Sequence, residues 1–134
     1  MNPPEIQLEG HRVRIGCDVV ALDDIANSLI SFGDRFLAKI YTAAEVATCD
    51  GPNRLARLAA RFAAKEATMK AFARPDAAFV PLEIEVVSSD HLPRLRLSGS
   101  AAQLAGAQNW QEVSLSITHA DCHAAAVVVA VCAK

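Results

Sequence analysis

Arg54-Leu-Ala-Arg-Leu-Ala-Ala-Arg-Phe-Ala-Ala-Lys-Glu-Ala-Thr-Met-Lys-Ala-Phe72 is the stretch on which the fold turns. It holds no Gly or Pro and is rich in strong helix formers, so it predicts one long helix. Arg74-Pro75-Asp76 ends it and Asp50-Gly-Pro-Asn53 precedes it as turn chemistry. Projected at 100° per residue, Leu55, Leu58, Ala59, Phe62 and Met69 share an apolar stripe. Glu66 falls inside that stripe. A carboxylate facing a core is costly unless it is paired or binds a cation. Two readings are open: Glu66 pairs with Lys70 at i,i+4 on the rim of the core, or it holds a metal. Arg54, Arg57, Arg61 and Lys65 share a separate narrow face, either solvated or a cradle for phosphate.

Upstream, Val13 to Val20 alternates and predicts a strand. Val13, Ile15, Cys17 and Val19 point one way; Arg14, Gly16, Asp18 and Val20 point the other. Asp is disfavoured in mid-strand. Asp18 is then either an edge-strand residue facing water or a ligand beside the space that Gly16 leaves. Two carboxylates on rigid elements, with phosphate oxygens added, suit a hard cation such as Mg²⁺.

The remaining elements follow from local signals. Residues 1–10 carry no strong pattern and are expected to be a loose lead-in. Leu22, Ile25, Ala26 and Leu29 have helical spacing and Gly33 breaks it. Thr42-Ala-Ala-Glu45 and Ser100-Ala-Ala-Gln103 read as capping boxes that open short helices. Residues 83–87 and 94–97 are expected to pair through Ser88-Ser89-Asp90-His91, and 113–119 with 124–131. Antiparallel hairpins with segregated helices mean an α+β fold: an antiparallel sheet, one long central helix and short helices. The 134 residues are expected to form a single domain.

Bulk composition narrows the function. Apolar residues make up 52%, enough for a core, and the net charge of −2 argues against nucleic acid as a partner. Four cysteines lack C-x-x-C spacing and read as reduced thiols. The polar start has no signal-peptide core, and the apolar run 124–133 is too short to span a bilayer. A cytoplasmic protein away from the membrane is expected. No H-E-x-x-H, Walker loop, G-x-S-x-G or G-x-G-x-x-G is present. His119 closes an apolar strand face, a place where a lone His is commonly structural.

Three of these stretches stand in words that resemble a known family. Ile15-Gly-Cys-Asp18-Val-Val is similar to the first signature of the holo-acyl-carrier-protein synthases, the small class of 4′-phosphopantetheinyl transferases. Arg61-Phe-Ala-Ala-Lys-Glu66-Ala-Thr-Met-Lys70-Ala-Phe72 resembles the second. Val113 to His119, followed by Ala124-Ala-Ala-Val, resembles the third. The resemblance runs from about Arg14 to Val131. It implies Asp18 and Glu66 as Mg²⁺ ligands, Glu66 and Lys70 as catalytic residues, and Arg61, Lys65, Lys70 and His119 around coenzyme A. It also implies transfer of phosphopantetheine from coenzyme A to a serine of an acyl carrier protein, releasing adenosine 3′,5′-bisphosphate. A homotrimer with active sites between subunits goes with it. The alternative is a non-catalytic coenzyme A module or a structural subunit of a larger synthase; turnover with a carrier protein separates them.

Two departures stand out. Ala73-Arg-Pro-Asp-Ala77 replaces the family's Gly-rich segment. Asp24 stands where the helix that meets the carrier protein often bears a basic residue, which leaves Arg35 and Lys39 as the nearby cations.

Overall fold

The computed structural model describes residues 3–89 and 92–134. The fold is α+β, as expected. Strands β1 (Glu5–Leu8), β2 (His11–Ala21), β5 (Trp110–His119) and β6 (His123–Ala133) form an antiparallel sheet in the order β1-β2-β6-β5. Strands β3 (Ile84–Ser89) and β4 (Leu92–Leu97) pair separately. Asp90 and His91, the tip of the expected hairpin turn, lie outside the described residues. Helices α1 (Leu22–Phe32), α2 (Asp34–Ile40) and α3 (Ala43–Cys49) connect β2 to α4 (Arg54–Phe72), and α5 (Gly99–Ala107) precedes β5.

Helix α4 spans 19 residues, about 28 Å, and lies across one face of the large sheet. Small side chains allow a close approach. Ala59, Ala60, Ala63, Ala64, Ala67 and Ala71 are all buried, against Val20, Ala124, Ala126, Val128 and Ala130 of β2 and β6. Contact is tightest at Gly16, where a Cβ would lie 1.9 Å from the Ala67 carbonyl oxygen. The last turn is held as firmly. The Phe72 carbonyl accepts from Gln108 Nε2 at 2.9 Å and Arg14 Nη1 at 3.3 Å. The Phe72 ring stacks on Trp110 and Phe79, with centroids 4.1 and 5.3 Å away.

Several expectations are corrected. Residues 5–8 are not loose: β1 pairs with β2 in register Glu5↔Arg14 to Leu8↔His11, and Glu5 accepts from Arg14 Nε at 2.6 Å. Nor is β2 an edge strand, because it lies between β1 and β6. The helix-covered face of β2 is that of Gly16 and Val20; the Val13, Ile15, Cys17, Val19 face is the other one. No open space flanks Gly16, since helix backbone fills it. On α4, Leu58 and Ala59 are buried, whereas Leu55, Phe62, Glu66 and Met69 are half-buried. Helix α2 had no sequence signal strong enough to separate it from the Gly33 break.

The Thr42–Glu45 capping box is present. The one expected at Ser100 is not: α5 starts at Gly99, with Ser98 as an N-cap that makes no side-chain bond. Glu83 does the capping from outside. Its carboxylate accepts from the backbone N–H of Ser100 at 3.1 Å and from the Ser100 hydroxyl. Gly99, at φ 54, leaves the room that this carboxylate occupies.

Candidate active site

Two groups of the expected residues come together, on different flanks of α4. The first is at its C-terminal end. Asp18 projects from β2 beside the helix, and Lys70 Nζ donates to its Oδ1 at 3.0 Å. Lys70 therefore reaches across to the strand and does not close the i,i+4 pair with Glu66. Glu66 has no ion-pair partner among the described residues. Its carboxyl is pushed above the usual carboxylate range, first by burial and then by the Asp18 charge, with Lys70 opposing both. Lys70 is shifted upward, chiefly by its hydrogen bond to Asp18. Glu66 and Lys70 open onto a cleft of about 360 Å³ whose other walls include Met69, Arg74, Pro75 and Phe79.

The second group is Arg61 and His119. Both line a groove of about 450 Å³ with Thr48, Arg57, Ser88 and Thr118. Arg61 is 5% exposed, yet no carboxylate among the described residues pairs with it. Its Nη2 donates to Ser88 Oγ at 3.1 Å, its Nη1 makes a long bond to the Arg57 carbonyl at 3.5 Å, and its Nε has no partner. A buried guanidinium with an unused donor and no counter-ion among the described residues has a hydrogen bond to offer an anion. His119 is exposed at the mouth of this groove.

Lys65 belongs to neither group, contrary to its expected place among the coenzyme-binding cations. It is 1% exposed. Its ammonium donates to Glu45 Oε1 at 2.8 Å, to the Ile84 carbonyl at 2.7 Å and to the Pro81 carbonyl at 3.1 Å. An ammonium has three protons, so all are spent inside the fold. Burial pushes its pKa below the usual lysine value, with Glu45 opposing. Glu45 is equally committed, accepting also from Thr42 N at 2.9 Å and Val86 N at 3.0 Å. The pair ties α3, α4 and β3 together. Nothing in the sequence links positions 45 and 65 beyond the capping box that contains Glu45. The cleft-lining Arg74 and Phe79 also went unread as site residues.

Comparison with known proteins places this geometry in a class. The model of the 4′-phosphopantetheinyl transferase superfamily matches residues 14–132. The chain belongs to that superfamily and is a transferase enzyme. Among curated relatives, it is 39% identical over 118 residues to the holo-[acyl-carrier-protein] synthase of Koribacter versatilis, covering 85% of this chain and 94% of that protein. It is 46% identical over 120 residues to the synthase of the same name from Solidesulfovibrio magneticus, covering 86% and 94%. Among solved structures, the ACPS-CoA complex of Chronobacterium ammoniagenes superposes with a TM-score of 0.78 at 28% identity, covering 91% of this chain and 98% of that one.

Proposed function

We propose that this enzyme transfers the 4′-phosphopantetheine group of coenzyme A to a serine hydroxyl of an acyl carrier protein. The observation that carries the reading is the meeting of Asp18, Lys70 and Glu66 at one end of α4. The likeness to a coenzyme A complex and to named carrier-protein synthases supports it.

The residues fit a divalent cation. The Asp18 charge reaches Glu66 and raises its proton affinity, with Lys70 opposing. No cluster of three or more His, Cys, Asp or Glu that could hold a metal occurs among the described residues. Two carboxylates, completed by phosphate oxygens and water, suit Mg²⁺, which resists an all-protein cage. Asp18 and Glu66 would hold it, and there Mg²⁺ supplies neutralisation of pyrophosphate charge.

The chain's own groups do the rest. In the reaction the serine oxygen bonds to the pantetheine-side phosphorus, and the bond to the bridging pyrophosphate oxygen breaks. Glu66, the carboxylate that opens onto the cleft, accepts the serine proton. Lys70 faces the same cleft and offsets charge on the departing adenosine 3′,5′-bisphosphate. Arg61 takes a coenzyme phosphate in the second groove, beside His119. Replacing Arg61 by Ala is expected to raise the KM for coenzyme A about tenfold with kcat little changed, since uniform binding is removed. An unchanged KM in a carrier-protein transfer assay would remove Arg61 from the site.

The two grooves also bear on assembly. Arg61 and Glu66 are five residues apart on α4, hence about 7.5 Å along the axis and about 140° around it. One subunit thus points the two groups to different sides. The uncovered sheet face is apolar as well. Val13, Ile15, Cys17 and Val19 are paired across strands with Val131, Val129, Val127 and Ala125. Val19 is 66% and Val127 44% exposed. We read these features as supporting a closed homotrimer in which one subunit's Asp18–Glu66 end meets a neighbour's Arg61 groove. Light scattering at assay concentration should give three times the chain mass; a fully active monomer would contradict it.

The carrier protein docks, in this reading, near Arg35 and Lys39 of α2, because Asp23 and Asp24 make the first turn of α1 acidic. The chain works as one domain in the cytoplasm, where its four free cysteines stay reduced. No helix among the described residues is long and apolar enough to cross a membrane.

A further inference from the structure

The segment that replaces the Gly-rich stretch has a structure of its own. Ala73 ends α4 in the left-handed region, at φ 55 and ψ 40, with its N–H bonded to the Lys70 carbonyl at 3.0 Å. That turn brings Arg74 to the lip of the cleft that holds Glu66 and Lys70. The Arg74 guanidinium is clasped by Asp76 through two bonds, Nε to Oδ1 at 2.9 Å and Nη2 to Oδ2 at 3.0 Å. Both side chains are well exposed, at 47% and 70%. An exposed pair of this kind contributes little to stability, so the fold does not depend on it.

The charges around the cleft give Arg74 a use. Asp18 and Glu66 are acidic, and Lys70 is engaged by Asp18. Among the described residues that line the cleft, Lys70 and Arg74 are the cationic ones. Asp76, at 70% exposed against 17% for Asp18, is the less sheltered of the two partner carboxylates, so the Arg74 pair is the one that water screens and an incoming anion can reach. A guanidinium fork fits phosphate oxygens as it fits a carboxylate, and a phosphate group offers more charge than Asp76 does.

We propose that Arg74 is a phosphate ligand held in reserve: latched to Asp76 in the free enzyme, it moves to a phosphate of coenzyme A on binding. Asp76 is then a competitor that sets the affinity. The inference rests on the coenzyme A reading of the cleft. It makes the two partners of one ion pair act in opposite directions.

The test is calorimetric titration of coenzyme A, with Mg²⁺ present, into the parent protein, Arg74→Ala and Asp76→Ala. Arg74→Ala should weaken binding roughly tenfold, the loss of one charge-assisted contact. Asp76→Ala should tighten it roughly two- to fivefold by freeing the guanidinium. Melting temperatures of all three should agree closely. If the parent binds and the variants match it, or both variants lose affinity together, Arg74 is not a reserve ligand and the transferase reading stands. If the parent itself does not bind coenzyme A, that reading fails and this inference with it.

Discussion

Lys65→Met is expected to destabilise the protein by about 3–5 kcal/mol, the usual effect of removing one partner of a buried ion pair. Met fills a similar volume, so little of this comes from a cavity. The loss arises because Glu45 keeps its charge with two backbone N–H donors and no cation, while the Pro81 and Ile84 carbonyls lose theirs. A chain of this size should melt roughly 10–20 °C lower, compared at one protein concentration because assembly shifts the melting point. Adding Glu45→Gln to Lys65→Met should recover part of the loss, since Gln removes the unpaired charge and keeps an acceptor for Val86 N–H. A Lys65→Met protein as stable as the parent, with a raised coenzyme A KM, would return Lys65 to the phosphate-binding group.

That residue shows where sequence reasoning reached its limit. The long helix was legible because 54–72 contains no breaker and many helix formers. Its buried side was not, because projection onto a wheel assumes one apolar stripe. In the fold, α4 is covered on most of its circumference, and alanines rather than Leu55, Phe62 and Met69 meet the sheet. Arg61 and Lys65 are buried because α3 and the segment 81–88 cover them and supply their acceptors, a contact that no local pattern announces. Alternation likewise revealed β2 but not which of its faces is covered. Gly16 looked like room for a ligand, and it is room for the backbone of α4 at Ala67. That same close approach is what sets Asp18 against Lys70, so the glycine acts on the site through packing. The second capping box failed for a similar reason: Glu83, 17 residues upstream, took the Ser100 N–H that Gln103 geometry would have organised.

The site itself was legible to different depths. Asp18, Glu66 and Lys70 could be singled out as polar groups where their elements should be apolar or as parts of familiar words, and of these Lys70 meets Asp18 while Glu66 shares a cleft with Lys70. Which carboxylate Lys70 would choose was not readable, because i,i+4 spacing favours Glu66 and only the packing of β2 on α4 brings Asp18 within 3.0 Å. The separate helix face of Arg61 was readable from spacing, but that His119 lines the same groove as Arg61 was not. That meeting depends on the path of β5 in the sheet.

The Asp18, Glu66 and Lys70 convergence is the central claim, and Asp18→Asn probes it with the least change of shape. The substitution removes one carboxylate charge from the place where Mg²⁺ would sit and leaves Lys70 without its partner. Loss of several kcal/mol of charge stabilisation corresponds to roughly two to three orders of magnitude in rate. The direct measurement is intact-mass spectrometry of an acyl carrier protein incubated over time with coenzyme A, Mg²⁺ and either enzyme. The parent should add one phosphopantetheine per carrier, on a serine, and Asp18→Asn should do so at about a hundredth to a thousandth of the rate while melting near the parent's temperature. A parent that adds no mass, or an Asp18→Asn variant that matches it, would contradict the account.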